Sequence, residues 1–326
     1  MKHKTRKSIA LLILIATLLT LPALALEPEA TPGNLAPVAE DLEITTYRGV
    51  GVAGILVAVD PEGDFLEFQI VRSPRKGDLE LDQASGNFSY TPRDGQRGRD
   101  SFRFVAIDAL GNISPEATVS IRIERQSRQV NYEDMEGHQS HFAALTLAEQ
   151  DIFVGEQIGG RHFFNPAAPV TRGEFLAMAM RLSGTDLLTG IRRTGFADDE
   201  EIGDWLKPYV STAVLEGVIQ GRRESAGLVF SPDDHITVSE AAVILNNVLG
   251  LTDVPTAGNI MTDITAPLWA HQATSNLRAY NIISFGYPAA YHNNLTRADV
   301  ADMLLGAAFV LEGRRPAAPS LLSWAS

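Results

Sequence analysis

One phrase occurs three times in the C-terminal half of this 326-residue chain. Val170-Thr171-Arg172-Gly173-Glu174-Phe175, Ile236-Thr237-Val238-Ser239-Glu240-Ala241 and Leu295-Thr296-Arg297-Ala298-Asp299-Val300 are versions of a single helix start. A repeat of roughly 60 residues specifies a modular array, and this limits the fold more than any local propensity does. Phe164-x-Pro166 and Phe230-x-Pro232 each place the Pro five residues before that Thr, while the third unit has Tyr291-x-Asn293. Farther upstream, Trp205 and Trp269 are followed twelve residues later by Gly217 or Asn281 and then a β-branched pair. The first unit carries Gln139 and Asp151-Ile152-Phe153 at those places.

After each Thr, positions +4, +7, +8 and +11 are apolar: Phe175, Met178, Ala179 and Leu182, then Ala241, Ile244, Leu245 and Val248, then Val300, Met303, Leu304 and Ala307. That spacing predicts an amphipathic helix with one buried stripe. Each unit therefore reads as helix, loop, helix. A lone helix pair cannot bury both of its stripes, so the three units are expected to pack together.

These residues resemble the S-layer homology (SLH) domain. The resemblance rests on the Trp-started helix, the turn Gly217-Val218-Ile219-Gln220-Gly221, the Phe-x-Pro loop and the Thr-Arg-x-Glu-like helix start, and it covers about residues 132 to 312. It places repeats at 132–190, 191–254 and 255–312. It implies non-covalent anchoring of an exported bacterial protein to a cell-wall secondary polysaccharide or peptidoglycan-linked polymer, commonly one bearing pyruvate ketals. It also implies an all-α, pseudo-threefold bundle with ligand grooves between its units.

Thr171 with Glu174, and Thr237 with Glu240, have the spacing of a capping box, in which each side chain satisfies a backbone N–H of the first helical turn, worth about 1 kcal/mol. Thr296 with Asp299 is the same pair with a shorter acid, expected to close less well. The Arg that follows the Thr is not explained by capping, because a helix N-terminus already carries partial positive charge. A guanidinium there suits an anionic ligand, since it clamps a carboxylate bidentately while exposed helix N–H groups assist. Resemblance carries polymer binding onto Arg172 and Arg297, against the plainer reading of solvated or ion-paired surface arginines. Val238 replaces the Arg in the second unit, where Arg222 and Arg223 are the candidates to supply the missing cation. Trp205 and Trp269 serve either packing between units, the expected use, or stacking on a sugar face.

Lys2, Lys4, Arg6 and Lys7 precede the apolar run Ile9 to Leu21, which ends in Ala23-Leu24-Ala25. This is the pattern of a secretory signal peptide over residues 1–25, too short for a permanent membrane span. The expectation is an exported, cell-surface protein with no integral membrane span in the mature chain and a tail at 313–326. There is no Cys, so neither disulfides nor thiolate metal sites are available. The net charge is −13, and without the four leader cations 23 basic residues face 40 acidic ones, or −17. Nucleic acid is excluded as a partner on these grounds. An anionic polymer must then be held by local arginines rather than by the overall field.

A Pro-rich linker (26–36) leads into seven short alternating runs between Leu42 and Ile123, separated by turn signals such as Asp60-Pro61-Glu62-Gly63-Asp64 and Lys76-Gly77. They predict an all-β sandwich over 37–125, with Phe102, Phe104, Ala106, Val119, Ile121 and Ile123 facing inward. A linker at 126–131 follows. Ala36-Pro37-Val38-Ala39, the Asp60–Asp64 turn, Gly86-x-Phe88-x-Tyr90-Thr91-Pro92 and Gly98-x-Asp100-Ser101-Phe102 make this segment similar to bacterial cadherin-like or immunoglobulin-like modules. Such modules act as spacers or adhesive units, and some bind calcium. Asp60, Glu62, Asp64 and Asp108 offer hard oxygens of the kind calcium takes, although Asp and Gly are also what a tight turn selects without metal. No cofactor is required.

The expected fold is thus multidomain: an all-β Ig/cadherin-like sandwich followed by an all-α three-repeat SLH helical bundle. Catalysis is not expected. The chain has no Gly-x-Ser-x-Gly elbow, phosphate-binding Gly-rich loop or His-Glu-x-x-His. The function expected is anchoring to a cell-wall polymer, with the sandwich displayed outward. The alternative is an adhesin whose sandwich binds an extracellular protein or carbohydrate while the repeats serve only as scaffold.

Overall fold

The computed structural model describes residues 33–128, 130–255, 266–283 and 291–313. The segment expected to be a leader, the Phe285-Gly286-Tyr287-Pro288 segment of the third unit and nearly all of the tail lie outside the described residues.

The N-terminal half is a sandwich of β1 (Val38–Ala39), β2 (Leu42–Tyr47), β3 (Val52–Ile55), β4 (Ala58–Val59), β5 (Glu67–Arg72), β6 (Gly77–Leu81), β7 (Asn87–Pro92), β8 (Gly98–Ile107) and β9 (Ala117–Glu124). One sheet has the order β2-β9-β8-β5 and the other β3-β7-β6, with β1 paired to β4. Strand β2 runs parallel to β9 in a register from Leu42↔Val119 to Tyr47↔Glu124. Alternation does what it predicts: Phe102, Phe104, Ala106, Val119, Ile121 and Ile123 are all buried. The sheets meet where Phe88 packs edge-on against Phe102 at 5.3 Å. The Tyr and Asp of the two sequence motifs are partners, since buried Tyr90 donates its hydroxyl to Asp100 at 2.9 Å. Asp100 also accepts the amides of Arg75 and Lys76. Gly77 is required beside them, because a Cβ there would lie 2.3 Å from the Tyr90 ring and 2.7 Å from the Thr91 carbonyl.

The second half contains α1 (His141–Glu149), β10 (Glu156–Ile158), β11 (Arg161–Phe163), α2 (Arg172–Ser183), α3 (Lys207–Leu215), β12 (Arg222–Glu224), β13 (Gly227–Val229), α4 (Val238–Leu249), α5 (His271–Ala279) and α6 (Arg297–Leu311). A 3-10 turn at Leu268–Ala270 leads into α5. The expected all-α bundle is therefore incorrect. The first and second units each insert an antiparallel hairpin between their helices, β10–β11 and β12–β13, so the repeat half is mixed α and β. The reason is local. Gly159 and Gly160 both take positive φ, which a two-residue turn with the right-handed twist of its flanking strands demands. Strands of three residues are too short to reveal an alternation.

Where the first helix of each unit ends, Asp151, Gly217 and Asn281 all adopt the left-handed conformation, with φ of 60°, 74° and 57°. This accounts for the Gly/Asn/Asp position and for the buried pairs that follow it in the second and third units, Val218-Ile219 and Ile282-Ile283.

Three backbone hydrogen bonds close the units into a ring. Val170 N–H donates to the Leu295 carbonyl at 3.2 Å, Leu295 N–H to Ile236 at 2.9 Å, and Ile236 N–H to Val170 at 3.0 Å. The residue before each repeated Thr thus sits on a pseudo-threefold axis. The sandwich joins this assembly directly. Its core and that of the repeats are continuous. Tyr47 packs on Phe142 of α1 at 5.4 Å, and Glu149 of α1 accepts the amides of Ser127 and Arg128 at 3.1 and 2.8 Å.

Candidate ligand grooves

All three capping boxes are closed, that of Thr296 and Asp299 included. The Asp299 carboxylate accepts the Thr296 amide at 2.8 Å, so the shorter acid serves as well as the Glu of the other units. The next two amides of the first and third of these helices, and the next one of the second, are also used. Arg172 and Gly173 donate to the carbonyls of Asp234 and Pro232, Val238 to Asn293, and Arg297 and Ala298 to Ala168 and Pro166. Each helix start is therefore sewn to the loop of the following unit, and the third unit returns to the first. The expectation that exposed helix N–H groups hold a ligand is corrected by this pairing. What faces the grooves is the arginine side chains.

Arg172 lies between the first and second units. Its Nη1 meets Glu240 Oε1 at 2.6 Å, its guanidinium stands 5.6 Å from the centre of the Phe230 ring, and 17% of the side chain is exposed. Its Nε is buried and has no hydrogen-bond partner. Glu240 is shared, because its other oxygen accepts the Thr237 amide at 3.0 Å. Arg297 lies between the third and first units. It is likewise 17% exposed, pairs with Glu156 at 2.9 Å, donates to the Phe164 carbonyl and stands 5.3 Å from the centre of the Phe153 ring. An arginine over an aromatic ring, in contact with one carboxylate, retains further donors for an incoming anion.

Arg222 and Arg223 do not supply the cation missing at Val238. They stand on β12, where Arg222 pairs with Glu224 at 2.8 Å and Asp234 at 3.6 Å. Asp234 belongs to the loop that receives the Arg172 amide, so Arg222 borders the same groove as Arg172. Val238 is buried. Near it, Arg278 of α5 stands 5.4 Å from the centre of the Tyr291 ring and is itself buried. Sequence reasoning missed Arg278. The signal was a charge at a position that the other units fill with Val214 and Ala148.

Also missed were two carboxylates that shape the loops. Asp134 accepts the amides of Phe164 and Asn165 at 2.9 and 2.6 Å, and Asp198 those of Phe230 and Ser231 at 3.0 and 2.6 Å. Asn165 and Ser231 both have positive φ, and these clamps fix them. Trp205 and Trp269, expected to pack between units, are 60% and 62% exposed. Trp205 meets Tyr209 edge-on.

In the sandwich, Asp60, Asp64 and Asp108 each bring an oxygen within 4.8 Å of the others. Glu62 is not among them and instead accepts the Leu35 amide. Asp60 Oδ1 takes the amides of Glu62 and Asp64, whereas its Oδ2 is buried without a partner. Oxygens 4.8 Å apart at most fit around one ion that binds them at about 2.3–2.6 Å. The three carboxylates offer part of the roughly six to eight oxygens that calcium takes, with both Asp108 oxygens already accepting hydrogen bonds from Leu110 and Asn112.

Residues 34–125 match the bacterial cadherin-like domain family. The surface-layer 125 kDa protein of Lysinibacillus sphaericus is 27% identical over 161 residues, 45% of this chain and 13% of that protein. This stretch is too long to end with the cadherin-like domain and reaches into the repeats. An amylopullulanase of Thermoanaerobacterium thermosulfurigenes and the exoglucanase XynX of Acetivibrio thermocellus are each 35% identical over 89 residues, 26% of this chain and 4% and 8% of theirs. The chain spans at most 13% of the length of these relatives. Among the described residues no helix is long and apolar enough to cross a membrane.

Proposed function

We propose that this chain is an exported cell-surface protein whose repeats, read as S-layer homology units, bind an anionic polysaccharide of the cell envelope. The observation that carries the reading is the recurrence of one constellation. Arg172 and Arg297, at the same helix position in different units, each occupy a groove between consecutive units, largely covered and over an aromatic ring. The similarity to a surface-layer protein supports it. Arg172 and Arg297 hold polymer carboxylates, Arg222 extends the first groove, and exposed Trp205 and Trp269 offer sugar-stacking faces. Arg223 is exposed on the same hairpin and strengthens the local positive field. The test is wall binding by the Arg172→Ala/Arg297→Ala chain. Charge-assisted bonds contribute roughly 1.5–3 kcal/mol, so the affinity is expected to fall about tenfold or more per site while circular dichroism stays unchanged. Undiminished binding by a folded double variant removes these arginines from the role.

Buried, unpartnered Asp60 Oδ2 supports a second reading, in which the sandwich holds calcium through Asp60, Asp64 and Asp108. Millimolar calcium is then expected to raise the melting temperature of the wild type and leave that of Asp64→Asn unchanged. Equal melting curves of the wild type with calcium and with chelator contradict it.

A further inference from the structure

A cleft of about 540 Å3 opens where the sandwich meets the repeats, apart from the arginine grooves. Its volume lies within the range of about 300–1,000 Å3 typical of small-ligand sites, and such sites favour domain junctions. One wall comes from the sandwich. The parallel register of β2 and β9 continues one residue beyond the strands, since Arg48 N–H donates to the Glu124 carbonyl at 3.1 Å. Arg48 and Arg125 consequently leave neighbouring chain positions, and both line the cleft. Like charges placed side by side in a sheet repel. Neither guanidinium has a carboxylate within ion-pair distance among the described residues, although Glu133 and Glu136 line the same cleft. The facing wall is built by the segment that enters α1: Asn131, Tyr132, Glu133, Glu136 and His141, with Gln126 at the seam; the Glu133 carboxylate is paired with Arg161 at 3.8 Å. Burial holds the His141 imidazole below its usual pKa, so it is neutral at pH 7, and its Nε2 is buried without a partner. The cleft is thus cationic on one side and lined on the other by amide, carboxylate and imidazole groups that exchange hydrogen bonds with hydroxyls.

We propose that this cleft binds an acidic saccharide of one or two rings, with Arg48 and Arg125 clamping its carboxylate and Asn131, Gln126 and Glu136 engaging its hydroxyls. A carboxylate on a polyhydroxylated ring satisfies both walls, whereas a neutral sugar leaves the arginine pair opposed. The site is independent of the Arg172 and Arg297 grooves and does not rest on the wall-binding reading. The test titrates digalacturonate into the full chain, with Arg48→Gln/Arg125→Gln and Arg172→Ala/Arg297→Ala chains in parallel and digalacturonate methyl ester as the uncharged control. Saturable binding is expected in the wild type, weakened at least about tenfold in Arg48→Gln/Arg125→Gln, within about twofold of wild type in Arg172→Ala/Arg297→Ala, and lost with the ester. The proposal is overturned by absence of saturable binding, by equal affinity of the Arg48→Gln/Arg125→Gln chain or of the ester, or by a loss that follows Arg172→Ala/Arg297→Ala alone. Both arginines are exposed, so their replacement leaves the fold intact.

Discussion

Asp302 on α6 is partly buried and accepts the Ser140 hydroxyl at 2.8 Å, which diverts the residue at the start of α1 from capping its own helix. Burial, together with the charge of Asp299, pushes the Asp302 carboxyl up to about 7, against a smaller opposing effect of the Ser140 bond. The folded chain then keeps a proton that the unfolded chain releases near pH 4. This contribution to stability is full below pH 4 and is lost as pH rises toward 7. Asp302→Asn is expected to remove that slope and to stabilise the protein at pH 8 by on the order of 2 kcal/mol, measured by urea denaturation across pH. A variant that keeps the wild-type slope contradicts the assignment. At this scale the sequence was informative about caps and uninformative about pairing. Thr171, Thr237 and Thr296 announce their boxes by spacing alone. That Glu240 also holds Arg172, a residue 68 positions away, depends on the packing of two units and leaves no local trace.

At the scale of elements, the loops before α2 and α4 are set by a single carboxylate each. Replacing Asp198 with Ala strips the partner from the amides of Phe230 and Ser231 and releases a non-glycine residue held at positive φ. A loss of about 2–4 kcal/mol is expected in denaturant unfolding, with Asp198→Asn intermediate, because an Asn accepts with one oxygen only. A loss below about 0.5 kcal/mol makes the clamp incidental. Asp198 to Glu201 invites a dipole reading because these acids precede a helix, yet Asp198 serves a loop 32 residues on. The 64-residue interval between Asp134 and Asp198 matches the repeat and was the legible clue. The hairpins escaped for a different reason. Helical periodicity covers about a dozen residues in α2 and α4, while β10 to β13 are three residues each and signalled only by Gly159-Gly160. The sandwich was legible almost strand by strand because one face of each strand is buried and the period of two shows plainly.

At the scale of the whole molecule, the segment between sandwich and repeats is a joint and not a free tether. Glu149 accepts the Ser127 and Arg128 amides, Tyr47 packs on Phe142, and the two cores are continuous. The described residues are accordingly expected to unfold in one calorimetric transition, with Phe142→Ala lowering all of it; two separable transitions show independent halves. Apolar patterning located both halves but not the contact between them, since Tyr47 lies on a strand whose pattern is already met by the sandwich core. A ring closed by Val170, Ile236 and Leu295 places an arginine from a helix start in two grooves, Arg172 and Arg297, while Arg278 of α5 is buried over the Tyr291 ring. The ring is proposed to fasten the chain to a wall polymer. The direct measurement is co-sedimentation of the full chain with sacculi of the source organism, before and after chemical removal of the non-peptidoglycan polymer. Binding to intact sacculi that disappears with the polymer is the predicted result. A folded chain that fails to bind intact sacculi, or that binds stripped sacculi equally well, contradicts it.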